Sequence, residues 1–345
     1  MTLNGMTSLE GVSVLVTGAT GFLGGALARR LALAEGARVT ALGRRADAGA
    51  RLTREIYGHD LRFVQADLAQ PDAAQAACAG QAIVFHCAAR AGAWGAYTDF
   101  QRDNVSVTHN IIAGCRRAGA RLVHVSTPSV CFAGQPRLAV SESDPLPARQ
   151  LSPYAATKLL AEQAVNTATA DGLRAICIRP RAIFGPRDTT LLPRLIQRLA
   201  LGRLPILGDG RNQADLTYVD NVVDALLLCA TAPEAVLGRT FHITNGEPVR
   251  LWETIGQLCQ ALGYPPPRRR VPLAAALALA YASELAHTAL HRPGEPALTR
   301  YGVRLLALDA TLDITAARRD LGYAARVSLT AGLERVAAWW RAGQP

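Results

Sequence analysis

Short runs of β-branched and aliphatic residues recur along the first half of the chain, separated by longer stretches in which apolar residues return every three or four positions. The first run, 12–16, is followed by a glycine-rich turn and then by a helical pattern through Leu27, Arg30 and Leu31, giving the order strand, turn, helix. Further strands are predicted at 38–42, 61–65, 82–86, 121–126 and 175–178, each separated from the next by enough residues for a helix. Parallel strands joined through helices require right-handed crossovers, so the expected fold class is α/β, a doubly wound parallel (Rossmann) sheet.

The pattern changes after Pro180. Prolines at 186, 193 and 205, a loop over 208–213 and the Pro-rich 265–267 break the alternation and predict a smaller C-terminal substrate-binding lobe. The stretch 214–230 reads as a return to the first lobe, with Asp220 capping a helix through Val223, Leu226 and Leu227. The expected division is a dinucleotide-binding domain over 8–180, rejoined by 214–245, and a substrate lobe made from 181–213 and 246–340. Residues 271–283 carry no charge until Glu284 interrupts them. That is short of the roughly 20 apolar residues of a membrane-spanning helix. A core or pocket-wall helix is expected; the alternative is a peripheral membrane contact with the arginines at 268–270 among lipid headgroups.

The 345 residues are half apolar, enough for a sizeable core and against disorder. Seven cysteines, with no CxxC spacing and mostly inside apolar runs, predict buried thiols of a reducing compartment. No His or carboxylate cluster has ligand spacing, so no metal is expected. Residues 1–11 lack a basic segment leading into a long apolar run, which makes a cytoplasmic location the expectation. The formal net charge is +10, but the arginines are dispersed and the 268–270 cluster has no interleaved aromatics. That balance suits anionic small molecules and argues against nucleic acid as a partner. One basic residue stands apart: Lys158 is the single lysine of the chain.

Gly18, Gly21 and Gly24 follow the first strand and open the first helix. Gly18 permits the tight turn, Gly21 lets backbone N–H groups approach a pyrophosphate, and Gly24 lets helix and strand pack closely. Thr20, Phe22 and Leu23 complete this expected dinucleotide loop. At the end of the second strand, where NAD binding calls for an acidic residue, Gly43 is followed by Arg44 and Arg45. Two guanidiniums suit a 2′-phosphate, so NADP(H) is favoured over NAD(H). Asp67, ahead of Leu68 after the third strand, is placed either to receive the adenine amine or to cap the next helix.

Tyr154 and Lys158 stand four apart at the start of a helical stretch and therefore point from one face. A phenol is a poor acid or base at neutral pH, and a neighbouring ammonium lowers its pKa by favouring the phenolate. A lone lysine placed at random seldom falls four residues after one of eight tyrosines. In a chain that otherwise uses arginine, its survival marks a site that needs a compact ammonium. Ser126, Thr127 and Ser129 are delivered to the same sheet edge by the fifth strand; a hydroxyl there either bonds a substrate carbonyl oxygen or serves the turn.

These residues lie in the motifs GATGFLG, ADL, HCAARAG, NVSVTHN, VSTPSV, SPYAATK and IRPRAIFGP, in order from about 12 to 323. The chain thereby resembles the extended short-chain dehydrogenases/reductases, in the branch of the 3-beta-hydroxysteroid dehydrogenases. AGAWGAY, LLPRL, LGDGRNQADLTYVDN and TNGEPV make it similar to the bacterial 2-alkyl-3-oxoalkanoate reductases of olefin biosynthesis. The resemblance implies NADPH-dependent reduction of a hydrophobic keto acid to a hydroxy acid, with Tyr154 as proton donor and Lys158 its partner. It makes Thr127 the third member, with Ser126 the alternative one residue earlier. It also implies that Ala88 and Ala89 line the nicotinamide half of the cofactor site, that Asn104 lies beneath it, that Pro180 begins the covering segment, and that the protein is a homodimer. Arg90 or Arg187 is the expected partner of a substrate carboxylate. The rival readings are a sterol dehydrogenase, a nucleotide-sugar epimerase or dehydratase, and an NADP sensor without turnover. Cys131 and Phe132 replace the Tyr-Gly of many sugar-modifying relatives, and a sensor has no need of Tyr154 and Lys158.

Overall fold

The computed structural model describes residues 8–190, 192–200, 202, 204–292 and 294–343. Residues 1–7 of the N-terminal segment and Leu191 of LLPRL lie outside them. Strands β1 (Ser13–Thr17), β2 (Arg38–Gly43), β3 (Leu61–Gln65), β4 (Ile83–His86), β5 (Arg121–Val125), β6 (Ala175–Pro180) and β7 (Thr240–Ile243) form one sheet in the order β7-β6-β5-β4-β1-β2-β3. Every pairing in it is parallel. The strand order reverses between β1 and β4, which places a crevice at the carboxyl ends of those two strands.

Side-chain alternation along the strands builds a core on each face of the sheet. Val14 and Val16 pack on one side with Leu27 and Leu31 of α1 (Phe22–Leu33), and with Val222 and Leu226 of α6 (Val219–Thr231). Leu15 points the other way, into a cluster fed by α3 (Pro71–Cys78), α4 (Val107–Ala118) and α5 (Pro153–Ala170). Each fully buried aliphatic side chain contributes about 1.5–3 kcal/mol to holding this arrangement. Between β2 and β3 lies α2 (Ala46–Glu55). All seven cysteines are free thiols, six of them buried.

The chain after Pro180 builds a four-stranded sheet from Val249–Arg250, Gln213–Ala214, Ala310–Leu312 and Arg137–Val140. The last of these lies inside 8–180, so the first span lends a strand to the second lobe by pairing with Ala310–Leu312. Around this sheet stand α7 (Leu251–Ala261), α8 (Leu273–Ala289) and α9 (Arg300–Ala307). Asp220, expected as a cap, is instead the second residue of α6. Tyr218 holds the cap position, its N–H donated to Asn245 Oδ1 at 3.0 Å, and Asp220 reaches Arg335 at 3.5 Å. Helix α8 packs one face into the second lobe through Ala276, Ala280, Leu273 and Leu277 and leaves the other open: Leu279 is 60% exposed, and Tyr281 and Leu285 are also open to solvent. Among the described residues, no helix is long and apolar enough to cross a membrane.

Candidate active site

The crevice is shaped by glycines that no other residue replaces without a clash. Gly18 has φ +68°, and a Cβ on it would sit 2.9 Å from the backbone of Ala88; one on Gly24 would sit 2.4 Å from the carbonyl oxygen of Gly18. Gly21 is the N-cap of α1 and offers no capping side chain, so the first-turn N–H groups stay available to an anion. Phe22 and Leu23 contribute backbone there, because their side chains pack away from the crevice beside Phe184 and Tyr218. Gly18, Thr20, Gly21, Arg44, Arg45, Asp67, Leu68, Ala88 and Ala89 line one groove of about 320 Å³.

Arg45 donates to the carbonyl of Thr20 at 2.6 Å and Arg44 to Asp103 at 3.3 Å. Asp67 accepts the Ala69 N–H at 3.0 Å and pairs with Arg102, so it closes the turn before α3 and competes with any adenine amine for its oxygens. Asn104 is buried and does not line the groove. It sits in a π-helical stretch, Gln101–Ser106, where it accepts the Arg90 N–H at 2.8 Å and donates to the Arg90 carbonyl and to Thr157. It thus holds the segment after β4 from behind. The glycine cradle, the uncapped helix end and the basic end of β2 fit a dinucleotide.

Tyr154 and Lys158 come from the first turns of α5. Ser152 caps this helix by accepting the Ala155 N–H at 3.1 Å, and Pro153 occupies the first position, so the local sequence starts the helix where the pair needs it. The Thr127 hydroxyl lies beside the Tyr154 phenol and opposes the rise of its pKa. It also donates to Ser129 Oγ at 3.0 Å, which in turn accepts from the Tyr301 hydroxyl at 2.8 Å. Ser126 Oγ is buried without a hydrogen-bond partner among the described residues. Lys158 donates to the Val125 carbonyl at 2.7 Å and to His124 Nε2 at 3.3 Å. Burial pulls its ammonium down to about 8, opposed by charges that include Glu162. Burial pushes the Tyr154 phenol up to about 12, against the Thr127 hydroxyl. Lys158 is not among the charges that act on the phenol, and its ammonium is turned toward Val125 and His124.

Residues 14–244 match the NAD dependent epimerase/dehydratase family. The chain belongs to this family. A 2-alkyl-3-oxoalkanoate reductase of Stenotrophomonas maltophilia is 39% identical over 333 residues, 95% of this chain and 99% of the relative. A 3beta-hydroxysteroid-dehydrogenase/decarboxylase of Arabidopsis thaliana is 36% identical over 301 residues, 82% of this chain and 68% of the relative. The crystal structure of the dTDP-glucose 4,6-dehydratase of Streptomyces venezuelae with NAD bound superposes with a TM-score of 0.77 at 27% identity, covering 96% of this chain and 98% of that one. This member of the epimerase/dehydratase family is an NAD(P)-dependent oxidoreductase with a Rossmann fold.

In this epimerase/dehydratase member, several supporting residues escaped the sequence reading. His86 is held neutral at about 3 by burial; its ring bridges Thr17 at 2.9 Å and Thr108 at 3.2 Å, and Thr17 accepts the Ala88 N–H at 3.1 Å. This ties the groove wall to β1 and α4. Glu162, one turn after Lys158, makes a buried ion pair with Arg179 at 2.5 Å. Tyr301 arrives from α9, whose start is fixed by the Arg300 ion pair to buried Glu284 at 2.6 Å. No local motif announces a tyrosine delivered from so far along the chain. The arginines expected to meet a carboxylate are occupied: Arg90 reaches Asp99 at 3.4 Å and Asp103 at 3.3 Å, and Arg187 reaches Glu55 at 2.6 Å.

Proposed function

We propose that this enzyme reduces a long-chain 2-alkyl-3-oxoalkanoic acid to the 3-hydroxy acid with NADPH. The observation that carries the reading is the Thr127 hydroxyl beside the Tyr154 phenol, joined through Ser129 and Tyr301 to an apolar wall. Phe132, Tyr301, Leu308 and Ala310 form that wall, with Leu151, Leu273 and Leu305 beside it. Such a wall suits an alkyl chain and offers a nucleotide sugar few polar partners. The Stenotrophomonas maltophilia relative, a 2-alkyl-3-oxoalkanoate reductase, supports the same substrate class.

Bound NADPH supplies the hydride. Gly18, Gly21 and the first-turn N–H groups of α1 would hold its pyrophosphate, and Arg44 and Arg45, which follow β2, would meet its 2′-phosphate, with Arg44 exchanging Asp103 for it. Thr127 holds the substrate carbonyl oxygen by a hydrogen bond, and Tyr154 gives that oxygen its phenolic proton. A phenol raised to about 12 is fully loaded as a donor at neutral pH. Lys158 stays cationic below about 8 and orients the ribose end of the cofactor.

A sterol is the second substrate reading, favoured by the same apolar wall and by the name of the Arabidopsis thaliana relative. The outer face of α8 supports a further element of the proposal, contact with an anionic lipid surface. Leu279, Tyr281, Leu285 and Leu290 are exposed there, and the exposed arginines at 268–270 and 292 flank the helix. The test of the main reading is NADPH consumption with a 2-alkyl-3-oxo acid, a 3-ketosteroid and a UDP-sugar in parallel. Turnover of the acid alone supports it, and turnover of the steroid or the sugar alone replaces it.

A further inference from the structure

Three arginines of the described chain are buried, and they differ in how their charge is met. Arg121 donates to the carbonyls of Ala230 and Ala232 at 2.8 and 2.7 Å. Arg179 is paired with Glu162. Arg181, 9% exposed, has neither kind of partner: among the described residues no carboxylate lies within ion-pair distance, and its Nε is buried without a hydrogen bond. Leaving a buried cation unmatched costs several kcal/mol by desolvation, so such groups are rare unless a ligand completes them. A guanidinium also stays charged at neutral pH even where burial lowers its pKa, as it does here.

The surroundings of Arg181 point at the reacting centre. It follows Pro180 at the end of β6 and shares a small cavity of about 20 Å³ with Pro128 and Phe132, on the segment that begins at Thr127. Its charge is felt by the Tyr301 hydroxyl, which reaches Thr127 through Ser129. The nearest acidic influence is Asp215, itself pushed up to about 6 by burial, with one oxygen taken by the Leu312 N–H at 2.6 Å and the other without a partner. Arg137, which lines the same cavity, is already paired with Asp144 at 2.8 Å. In a 3-oxo acid the carboxylate is carried on the carbon next to the ketone carbon. Arg181 shares its cavity with Pro128, the residue that follows Thr127, so a carboxylate carried next to the ketone carbon has this cation as its nearest candidate partner.

We propose that Arg181 binds the substrate carboxylate and makes the enzyme choose a 3-oxo acid over a neutral ketone. This rests on the keto-acid reading above. Arg90 and Arg187 are displaced from that role by their own carboxylate partners. The guanidinium fork meets both carboxylate oxygens at once, which fixes the ketone against Thr127 and Tyr154.

The test runs in the oxidative direction, where substrates do not lose CO2 before the assay, with NADP+ and a 2-alkyl-3-hydroxy acid or its methyl ester. The wild type is expected to prefer the acid by about 100-fold in kcat/KM, the scale of a lost charge-assisted pair. Arg181→Met should remove that preference, mainly through KM for the acid, with kcat/KM for the ester falling far less than for the acid and NADP+ affinity retained. Arg181→Lys should restore part of it. An equal loss on acid and ester, or a wild type indifferent to the charge, overturns the assignment but leaves the keto-acid reading standing. Turnover of neither compound overturns both. If Arg181→Met fails to fold, competitive inhibition of the wild type by a long-chain 2-alkyl acid and by its primary amide decides: tight acid and weak amide support Arg181, equal constants refute it.

Discussion

Burial drives the two members of the Tyr154 and Lys158 pair in opposite directions, the phenol up to about 12 and the ammonium down to about 8. In the proposed mechanism the donor stays protonated at neutral pH while its partner loses its charge near pH 8. Lys158 is cationic below about 8 and neutral above it, because its pKa in the fold lies below its ordinary 10.5. The pH profile of kcat/KM for NADPH should therefore fall as pH rises through about 8, since that ratio reports the free enzyme. Lys158→Met should lose that limb together with about 100-fold or more of the rate. Lys158→Arg should not rescue it, because a planar guanidinium does not fit a space that leaves the ammonium 2% exposed. A profile flat across pH 7–9 would contradict this assignment. Tyr154 and Lys158 were legible in the sequence because four-residue spacing fixes a shared helix face. The route of the ammonium to Val125 and His124 was not, since it depends on how α5 meets β5.

Glycine contacts separate binding from stability at the scale of elements. Gly24→Ala should cost about 1–3 kcal/mol by overpacking and should also weaken NADPH binding, because the clash is with the Gly18 carbonyl in the cradle itself. Gly49→Ala meets the Phe63 ring at 2.2 Å, away from the groove lining, and should lower stability while leaving NADPH affinity intact. Thermal unfolding with and without NADPH checks both, and equal loss of affinity in the two variants would refute the separation. Six of the seven strands of the Rossmann sheet could be read from the sequence as short runs rich in β-branched and aliphatic residues, whereas β7 was not named as a strand. The π-helical stretch at 101–106 and the loan of 137–140 to the other sheet could not, because long-range pairing decides them.

At the scale of the whole molecule, the second lobe supplies what the dinucleotide half lacks: Tyr301 next to Ser129, and the apolar wall around it. It also carries α8, whose solvent face is apolar between flanking arginines. The protein should cosediment with vesicles of about one-third anionic lipid and much less with neutral ones, and Leu279→Glu with Leu285→Glu should abolish the difference. Equal recovery on both vesicle types would remove the lipid contact from the account. The isolation of Arg181 was not legible in the sequence for the same reason that Tyr301 was missed. Arg90 and Arg187 sit in recognisable motifs, but only the assembled lobes show that their charge is spent on Asp103 and Glu55 while that of Arg181 is not.

The central claim is that Tyr154 gives its proton to a keto acid in a chain that binds NADPH. It is tested most directly by following NADPH consumption with a long-chain 2-alkyl-3-oxo acid for the wild type and Tyr154→Phe, with NADPH affinity measured for both. The expected result is turnover by the wild type, a loss of at least about 100-fold in kcat for Tyr154→Phe, and unchanged NADPH affinity. Comparable turnover by the two proteins would contradict the account.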